Sequence, residues 1–219
     1  MDKKKVNDLV KITIDTDTIE GDLTIPVETQ GVVLFAHGAG SSRNSSRNNF
    51  VAEILQEAGL GTLLIDLLTP EEKEIDRKTR ELRFDIDRLA KRVTGTVDWL
   101  GENEVTKGMQ VGVFGSSTGA AGALITAAQR PDQVETVVSR GGRVDLAENY
   151  LSEVKVPVMC IVGGRDIQVL SMNRQAIEKM DTNTELKVVE GAGHLFEEPG
   201  ALEQVAKLSV EWFLKFLTK

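Results

Sequence analysis

Three polar side chains in glycine-rich turns could together perform nucleophilic catalysis. Ser117 stands in Gly-Ser-Ser-Thr-Gly at residues 115–119, between an apolar run and a stretch rich in small residues. A serine in such a strand-to-helix turn takes a strained backbone conformation that lifts its hydroxyl above the sheet. A serine hydroxyl is a weak nucleophile without an adjacent base. We therefore expect Ser117 to be the nucleophile and look for its base.

The chain has two histidines that could supply this base. His194 follows Gly-Ala-Gly at residues 191–193 and precedes the last helical stretch, whereas His37 directly follows an early apolar run. On folds with a strand–serine–helix turn, the partners follow one another as serine, acid and histidine. We expect His194 to be the base and His37 to hydrogen-bond its own loop.

An acid must orient the base, and it should lie between the serine and the histidine. Asp166 does so in Gly-Gly-Arg-Asp at residues 163–166, directly after an apolar run. Its carboxylate would hold the imidazole in one tautomer and stabilise the imidazolium formed during attack. Asp145 follows the preceding apolar run and is the rival for this role.

An enzyme of this kind also needs hydrogen-bond donors for the oxyanion, each worth about 3 kcal/mol. One donor should be the backbone N–H of Thr118, directly after the serine. The second should come from the turn His-Gly-Ala-Gly-Ser-Ser at residues 37–42. We expect the N–H of Ala39 there, with that of Gly40 as the alternative.

The pattern of apolar runs predicts how these turns are held. Two half-polar runs, at residues 8–15 and 22–25, alternate as in an antiparallel ribbon at a sheet edge. Near-continuous apolar runs predict strands buried on both faces, at residues 31–36, 62–67, 110–114, 136–139, 156–162 and 185–189. Helices are expected at residues 47–58, 83–100, 118–129, 173–179 and 201–216. This order predicts one α/β domain over residues 1–219, with a mostly parallel sheet, helices on both faces and no separate cap domain.

Residues 69–91, here called the charged segment, do not follow this pattern. Acidic and basic side chains succeed one another there almost without interruption. Such a run is typical of a solvated loop or helix face. The alternative is a short lid beside the site, because long connections after strands often carry function.

The composition excludes several function classes. A formal net charge of −8 disfavours nucleic-acid binding, which needs a basic face. No apolar stretch in the sequence reaches the length of about eighteen residues that a membrane span requires. Cys160 is the one cysteine and lies in an apolar run, so we expect an inert core thiol and no internal disulfide. With no secretory signal at the start of the sequence, we expect a cytoplasmic protein.

No cofactor or metal is expected. The glycines of residues 38–40 follow a predicted strand, but a dinucleotide-binding fingerprint requires a third glycine where this chain has Arg43. Two distant histidines and one cysteine offer no spacing typical of a metal site.

Together the motifs at residues 37–42, 115–119, 163–166 and 191–194 resemble the α/β-hydrolase superfamily. Within it they are similar to the small dienelactone-hydrolase-like group without a cap, from about residue 31 to the carboxyl terminus. Dienelactone hydrolases proper use a cysteine where this chain has Ser117. The resemblance therefore implies ordinary ester hydrolysis, as in small carboxylesterases, rather than action on the dienelactone itself.

Four arginines are candidates for substrate binding. Arg140 and Arg143 flank two glycines after a predicted strand, and Arg43 and Arg47 follow the candidate oxyanion turn. Because a guanidinium can hold a carboxylate through two hydrogen bonds, one of these arginines could select acidic esters or lactones. Surface ion pairs with the many acidic residues are the alternative.

We therefore expect a serine hydrolase of small carboxylic esters or lactones that acts through an acyl-enzyme, as a monomer or homodimer. A thioesterase, peptidase or acyltransferase could use the same residues, because fold and triad do not fix the acyl substrate. A ligand-binding module that keeps the fold without turnover is the alternative outside enzymology.

Overall fold

A computed structural model describes residues 6–29 and 31–217 of the chain. Its eight strands form one sheet in the order β1-β2-β4-β3-β5-β6-β7-β8. The first two strands form an antiparallel hairpin at one edge, and β2 pairs with β4 in antiparallel fashion. All other neighbours are parallel. The predicted fold class, a mostly parallel sheet with an antiparallel ribbon at its edge, is confirmed.

The strand bounds follow the apolar runs closely. The strands are β1 Val6–Ile14, β2 Asp17–Ile25, β3 Gly31–Ala36, β4 Gly61–Ile65, β5 Gln110–Ser116, β6 Val134–Arg140, β7 Val158–Gly163 and β8 Thr184–Val189. Every residue of β3, β4 and β7 is buried, as expected for strands covered on both faces. The run predicted to continue to residue 67 ends at Ile65, since the N–H of Leu67 donates to a ring nitrogen of His37 instead of to a strand.

Within the described residues the chain forms six α-helices. They are α1 Ser46–Glu57, α2 Pro70–Thr79, α3 Ile86–Glu102, α4 Thr118–Gln129, α5 Ile167–Ile177 and α6 Ala201–Leu217. Apolar residues of α1 and α6 share one core cluster, while those of α3 and α4 belong to the cluster on the other face. The chain also forms 3₁₀ helices at Leu82–Phe84 and Val144–Glu153.

Two predicted helices begin elsewhere than expected. The helix expected from residue 83 starts at Ile86, because the Asp85 side chain caps it by accepting a hydrogen bond from the N–H of Arg88. The helix expected from residue 173 starts at Ile167, directly after Asp166 in the N-cap position. The 3₁₀ helix at Val144–Glu153 was not predicted.

The charged segment is ordered as a helix followed by a 3₁₀ turn. Thr69 and Glu72 form a capping box at the start of α2, where Pro70 is suited to the first turn. The helix ends at Arg80, which has a left-handed backbone conformation with φ of 60°. Glu72 also pairs with Arg88 and Arg92 of α3. The segment thus contains a helix packed on the domain, and its role as a short lid stays a prediction.

The strand order creates a crevice beside β3. From β3 the chain moves outward to β4, and then returns across β3 to β5. Ligands of open α/β sheets bind where the strand order reverses in this way, at the carboxyl ends of the strands. Ala36 at the end of β3 lies opposite Gly115 of β5. The turns that contain Ala39 and Ser117 therefore meet at this crevice.

Candidate active site

Ser117 lies at the sharp turn between β5 and α4. Its backbone has φ of 50° and ψ of −121°, a conformation that residues with side chains rarely adopt. The flanking glycines leave no room for side chains: a Cβ on Gly115 would lie 2.4 Å from the Cα of Ala120, and one on Gly119 would lie 2.3 Å from the Ala36 carbonyl oxygen. The close packing of strand, loop and helix thus requires the glycines of the motif.

Backbone hydrogen bonds to the end of β6 hold the strained serine. The Ser117 N–H donates to the carbonyl of Arg140 at 3.2 Å, and the Ser117 carbonyl accepts from the N–H of Arg143 at 2.9 Å. The N–H of Ala120 donates to the same carbonyl at 3.1 Å. Because both polar groups of the serine backbone are paired, its unfavourable dihedral angles are compensated by the surrounding structure.

His194 and Asp166 are paired directly. The Nδ1 atom of His194 lies 2.6 Å from Oδ2 of Asp166, whose carboxylate is mostly buried while the imidazole is partly exposed. Asp145, the rival acid, instead makes an ion pair with Arg143 at 2.8 Å. The geometry thus favours Asp166 over Asp145 as the residue that orients the imidazole.

The turn that carries His194 is held by Glu198. The carboxylate of Glu198 accepts a hydrogen bond from the N–H of Gly193 at 3.1 Å and pairs with Arg165, the neighbour of Asp166. The hydrogen bond from Gly193 and the charge of Arg165 lower the pKa of Glu198. Glu198 therefore links the turn of the histidine to the turn of the acid.

Ser117 and His194 line the same cavity, which has a volume of about 230 Å³. Its other lining residues come from the β3 turn and from α1, β5, β6 and the His194 turn: Gly38, Ala39, Ser41, Ser45, Arg47, Ser116, Arg140 and Leu195. Between the two candidate turn donors, Ala39 lines both this cavity and a neighbouring one, whereas Gly40 lines the neighbouring cavity but not this one. In the part of the chain that the structure describes, the N–H groups of Ala39 and Thr118 donate to no other group. Both donors are thus free to bind an anion.

His37 is fixed inside the loop that it begins. Its Nε2 accepts from the N–H of Leu67 at 3.2 Å, so Nδ1 carries the proton and donates to the carbonyl of Gly38 at 2.8 Å. Burial lowers the pKa of His37, which keeps the ring neutral. This geometry gives His37 a place in the loop structure and no proton to exchange with Ser117.

Arg140 is a buried cation on the cavity wall. Its side chain donates to Oδ1 of Asn48 at 3.1 Å, while its Nη1 has no hydrogen-bond partner among the described residues. Burial, together with the nearby positive charge of Arg47, lowers the pKa of Arg140 to about 10. A guanidinium without a carboxylate partner in this position can bind an anion that enters the cavity.

The other two candidate arginines are engaged elsewhere. Arg43 pairs with Glu20 at 3.0 Å and lies near Asp66, and Arg143 pairs with Asp145. Neither lines the cavity that contains Ser117. Arg140 and Arg47 line that cavity, and a substrate-binding role for Arg43 or Arg143 stays a prediction.

Three further side chains near the site have no sequence signal of their own. Asn48 on α1 orients Arg140 and also lies 3.4 Å from the hydroxyl of Ser116. Glu198 supports the His194 turn, and Arg83 lies against the β3 turn at Gly40. Their roles depend on contacts between segments far apart in the sequence.

The side chains able to bind metal, the helices and the cysteine described next all lie within residues 6–29 and 31–217. Their histidine, cysteine, aspartate and glutamate side chains form no group of three or more that could hold a metal ion. None of their helices has the length and apolarity needed to cross a bilayer. Cys160 is fully buried in β7, and burial raises the pKa of its thiol to about 12.

The sheet order, the Ser117 turn and the position of the cavity define an α/β-hydrolase fold. Comparison with known families goes further: the model of the Dienelactone hydrolase family matches residues 19–218, and the chain belongs to this family. The crystal structure of a dienelactone hydrolase from Anabaena variabilis is 52% identical, with a TM-score of 0.96, and the match covers 98% of this chain and 100% of that one. Membership of this family supports a hydrolase.

Two further comparisons differ in the share of the other protein that they cover. Est1E from Butyrivibrio proteoclasticus shares the fold at 16% identity, with a TM-score of 0.79 and coverage of 94% of this chain and 98% of that one. Two Mycobacterium tuberculosis proteins, each named "Putative phosphoribosyl transferase", are 49% identical over 208 residues. These matches cover 95% of this chain and 46% of each relative, so the chain spans about half the length of the curated relatives it matches.

Proposed function

We propose that the protein is a serine hydrolase that cleaves small carboxylic esters or lactones through an acyl-enzyme on Ser117. One observation carries the proposal: His194 is paired with Asp166 at 2.6 Å and lines the same cavity as Ser117. Nucleophile, base and orienting acid come from the ends of β5, β8 and β7 in turn, as is typical of this fold. Membership of the dienelactone hydrolase family supports the same reaction class.

In the proposed reaction, Nε2 of His194 takes the proton of Ser117 as the hydroxyl oxygen attacks the ester carbonyl. Asp166 accepts the hydrogen bond from Nδ1 and stabilises the imidazolium. The imidazolium then gives its proton to the leaving alcohol, and the acyl group remains on Ser117. Water repeats the sequence and releases the carboxylic acid.

The backbone N–H groups of Ala39 and Thr118 would bind the oxyanion formed in both steps. Thr118 is the first residue of α4, so its N–H has no acceptor within the helix. The N-terminal end of α4 also carries a partial positive charge. Donors fixed before the reaction begins stabilise the developing charge without reorganisation.

We further propose that Arg140, with Arg47 beside it, favours substrates that carry a carboxylate. Arg140 is almost fully buried on the cavity wall and makes no ion pair within the described part of the chain. Arg47 also lines the cavity, donates to Glu197 and adds a second positive charge. A substrate carboxylate would supply the partner that the buried guanidinium lacks.

The phosphoribosyl transferase name of the Mycobacterium tuberculosis relatives does not change this proposal. This chain matches 46% of each of those proteins. The proposal for this chain rests on its own Ser117–His194–Asp166 arrangement, which serves acyl transfer.

A fluorophosphonate tests whether Ser117 is an activated nucleophile. Intact-mass analysis should show one adduct on the protein, and the Ser117→Ala variant should show none. Ser116→Ala is the matched control, because this neighbouring serine also lines the cavity, and it should still form the adduct. Absence of an adduct on the folded protein would contradict the proposal and favour a ligand-binding module without turnover.

A further inference from the structure

A second cavity, of about 180 Å³, lies on the other side of the β3 turn. Its walls are the β3 turn at residues 37–41, the end of β4 and side chains of the charged segment, among them Arg83. The turn that carries Ala39 is therefore a partition between this cavity and the one that contains Ser117. The position of the Ala39 N–H depends on what holds the partition from behind.

Arg83 lies directly against the partition at Gly40. A Cβ placed on Gly40 would be 2.6 Å from Nη1 of Arg83, so the guanidinium occupies the space that a side chain would need. The backbone of Gly40 has φ of +73°, a left-handed conformation that glycine adopts without strain. Glycine at this position thus permits both the turn and the contact with the arginine.

The guanidinium of Arg83 is itself fixed by Asp76 of α2. Its Nε donates to Oδ2 of Asp76 at 2.7 Å, its Nη2 points to the Asp76 carbonyl at 3.4 Å, and its backbone N–H donates to Oδ1 at 3.0 Å. The Asp76 side chain is only 5% exposed, so this charged hydrogen-bonded pair is shielded from water. Both ends of the arginine are therefore held by one buried carboxylate.

Helix α2, which carries Asp76, is anchored to the rest of the domain. Lys73 pairs with the buried carboxylate of Asp66 at 2.6 Å, and Glu72 pairs with Arg92 at 3.0 Å. Asp66 also accepts a hydrogen bond from the N–H of Arg43, directly beyond the β3 turn. A continuous set of contacts thus runs from α3 and β4 through Asp76 and Arg83 to Gly40.

We propose that Arg83 is a positioning residue that holds the β3 turn so that the N–H of Ala39 faces the oxyanion. This inference rests on the proposed function, since it assigns the purpose of the turn to oxyanion binding. Arg83 does not touch the substrate and acts through the backbone of residues 39 and 40. Loss of its support should lower kcat more than it raises KM, because the oxyanion exists only in the transition state.

The test compares alanine substitutions of two glycines that both have a positive φ. Gly40→Ala puts a methyl group into Arg83, whereas Gly59→Ala is the matched control: Gly59 has φ of +87° and nothing lies within 4 Å of its Cβ position. Both variants are measured with Arg83→Ala and Arg83→Lys for kcat and KM on a neutral ester, well below their thermal unfolding temperatures. The rate of fluorophosphonate reaction and the affinity for a boronic acid, which mimics the tetrahedral intermediate, are measured in parallel.

Gly40→Ala and Arg83→Ala should lower kcat about 10- to 100-fold, the loss expected from a small displacement of a catalytic donor. Their KM should change less than about threefold, and boronic acid affinity should fall with kcat. Arg83→Lys should recover part of the rate, while Gly59→Ala should keep it. Arg83→Lys also covers the case in which Arg83→Ala does not fold.

Two negative results have different meanings. If the wild-type protein reacts with fluorophosphonate and hydrolyses the ester, but Gly40→Ala and Arg83→Lys keep the wild-type kcat and boronic acid affinity, Arg83 does not position the turn and the proposed function stands. If the wild-type protein fails to react with fluorophosphonate, the proposed function fails, and the role of Arg83 in oxyanion binding fails with it.

Discussion

The backbone N–H of Ser117 donates to the carbonyl of Arg140 at 3.2 Å, while the guanidinium of Arg140 lines the cavity above the same serine. One residue thus contributes to two features of the site, the strained turn of the proposed nucleophile and a cationic wall. Because Arg140 is the last residue of β6, the sheet fixes its backbone. The side chain is fixed separately by Asn48 of α1.

The first prediction concerns the charge of the substrate. Arg140→Gln should lower kcat/KM for an ester that carries a carboxylate by about 30-fold or more, since one partner of a buried charged pair is worth about 2–5 kcal/mol and each 1.4 kcal/mol is about tenfold. The value for the neutral isosteric ester should change much less. The ratio of the two values of kcat/KM, measured side by side, reports this selectivity.

Arg143→Gln is the control for this measurement. Arg143 lies three residues away but pairs with Asp145 and does not line the cavity. Its substitution should leave the ratio between the charged and neutral esters unchanged. Equal ratios in wild type and Arg140→Gln would show that the cavity does not select a carboxylate through Arg140.

The second prediction concerns the acid that we propose orients His194. Asp166→Asn should lower kcat by about 10³- to 10⁴-fold, because an amide favours the wrong imidazole tautomer and cannot stabilise the imidazolium. Asp145→Asn is the matched control: it alters the rival acid, which pairs with Arg143. Pre-steady-state rates of acylation for the two variants separate the two acids, and a larger loss in Asp145→Asn would reverse their assignment.

The fold and the three proposed catalytic residues could be predicted from the sequence because their signals lie in short continuous stretches of chain. A serine between Gly115 and Gly119, a buried run before it and small residues after it all belong to one continuous stretch of chain. The same holds for Asp166 and His194, each in a short glycine-rich turn after an apolar run. Local patterns of this kind are visible because the backbone conformation itself restricts the residue types.

Local patterns of this kind did not predict the partners of the arginines. Arg140, Arg143 and Arg43 all stand near turns of the site, and their partners decide which of them is available to a ligand. Arg143 and Arg43 reach carboxylates, whereas Arg140 reaches the amide of Asn48, which is 92 residues away in the sequence. A contact between distant segments leaves no periodicity or spacing in the chain. The contact of Arg83 with Gly40 was missed for the same reason.

The bounds of the helices near the site illustrate a second limit. Helix α5 begins directly after Asp166, six residues before the predicted start. Its first turn contains Ile167, which is 68% exposed, so the apolar periodicity that marks a buried helix face is absent there. The apolar periodicity therefore did not predict that Asp166 lies directly before the start of α5.

The third prediction tests the support of the His194 turn. Glu198→Gln should lower kcat several-fold, because the amide cannot form an ion pair with Arg165 and accepts more weakly from the N–H of Gly193. The neighbouring Glu197→Gln is the control, since Glu197 pairs with Arg47, whereas Glu198 binds Gly193 and Arg165. Comparison of kcat for the two variants checks the assignment, and equal losses would contradict it.

The lowered pKa of Glu198 predicts how the contribution of this residue to stability changes with pH. The contact with Gly193 and Arg165 is present when the carboxylate is charged. Its contribution is therefore complete above the ordinary pKa of a glutamate and is lost as pH falls through the lower pKa of the folded state. The stability difference between wild type and Glu198→Gln, measured by urea unfolding, should shrink on acidification.

The last prediction concerns Cys160, a residue of β7. Its thiol is fully buried in β7, and burial raises its pKa to about 12, from the 9.0 of an exposed thiol. Only a thiolate reacts readily with iodoacetamide. The folded protein should therefore remain unmodified at pH 8 and keep its proposed esterase activity, while the urea-unfolded chain should be alkylated once.

The same pKa shift makes stability fall in alkaline solution. Above pH 9 the thiol of the unfolded chain loses its proton, while the thiol of the folded protein keeps its proton up to about pH 12. The folded state then binds more protons, so this residue reduces the free energy of unfolding by about 1.4 kcal/mol for each pH unit within that window. Urea unfolding of wild type and Cys160→Ala between pH 8 and pH 10.5 measures the effect, with both chains sharing all other titrating groups. The stability of wild type should fall more steeply than that of Cys160→Ala above pH 9, and parallel curves would show that the thiol is less buried than the structure places it.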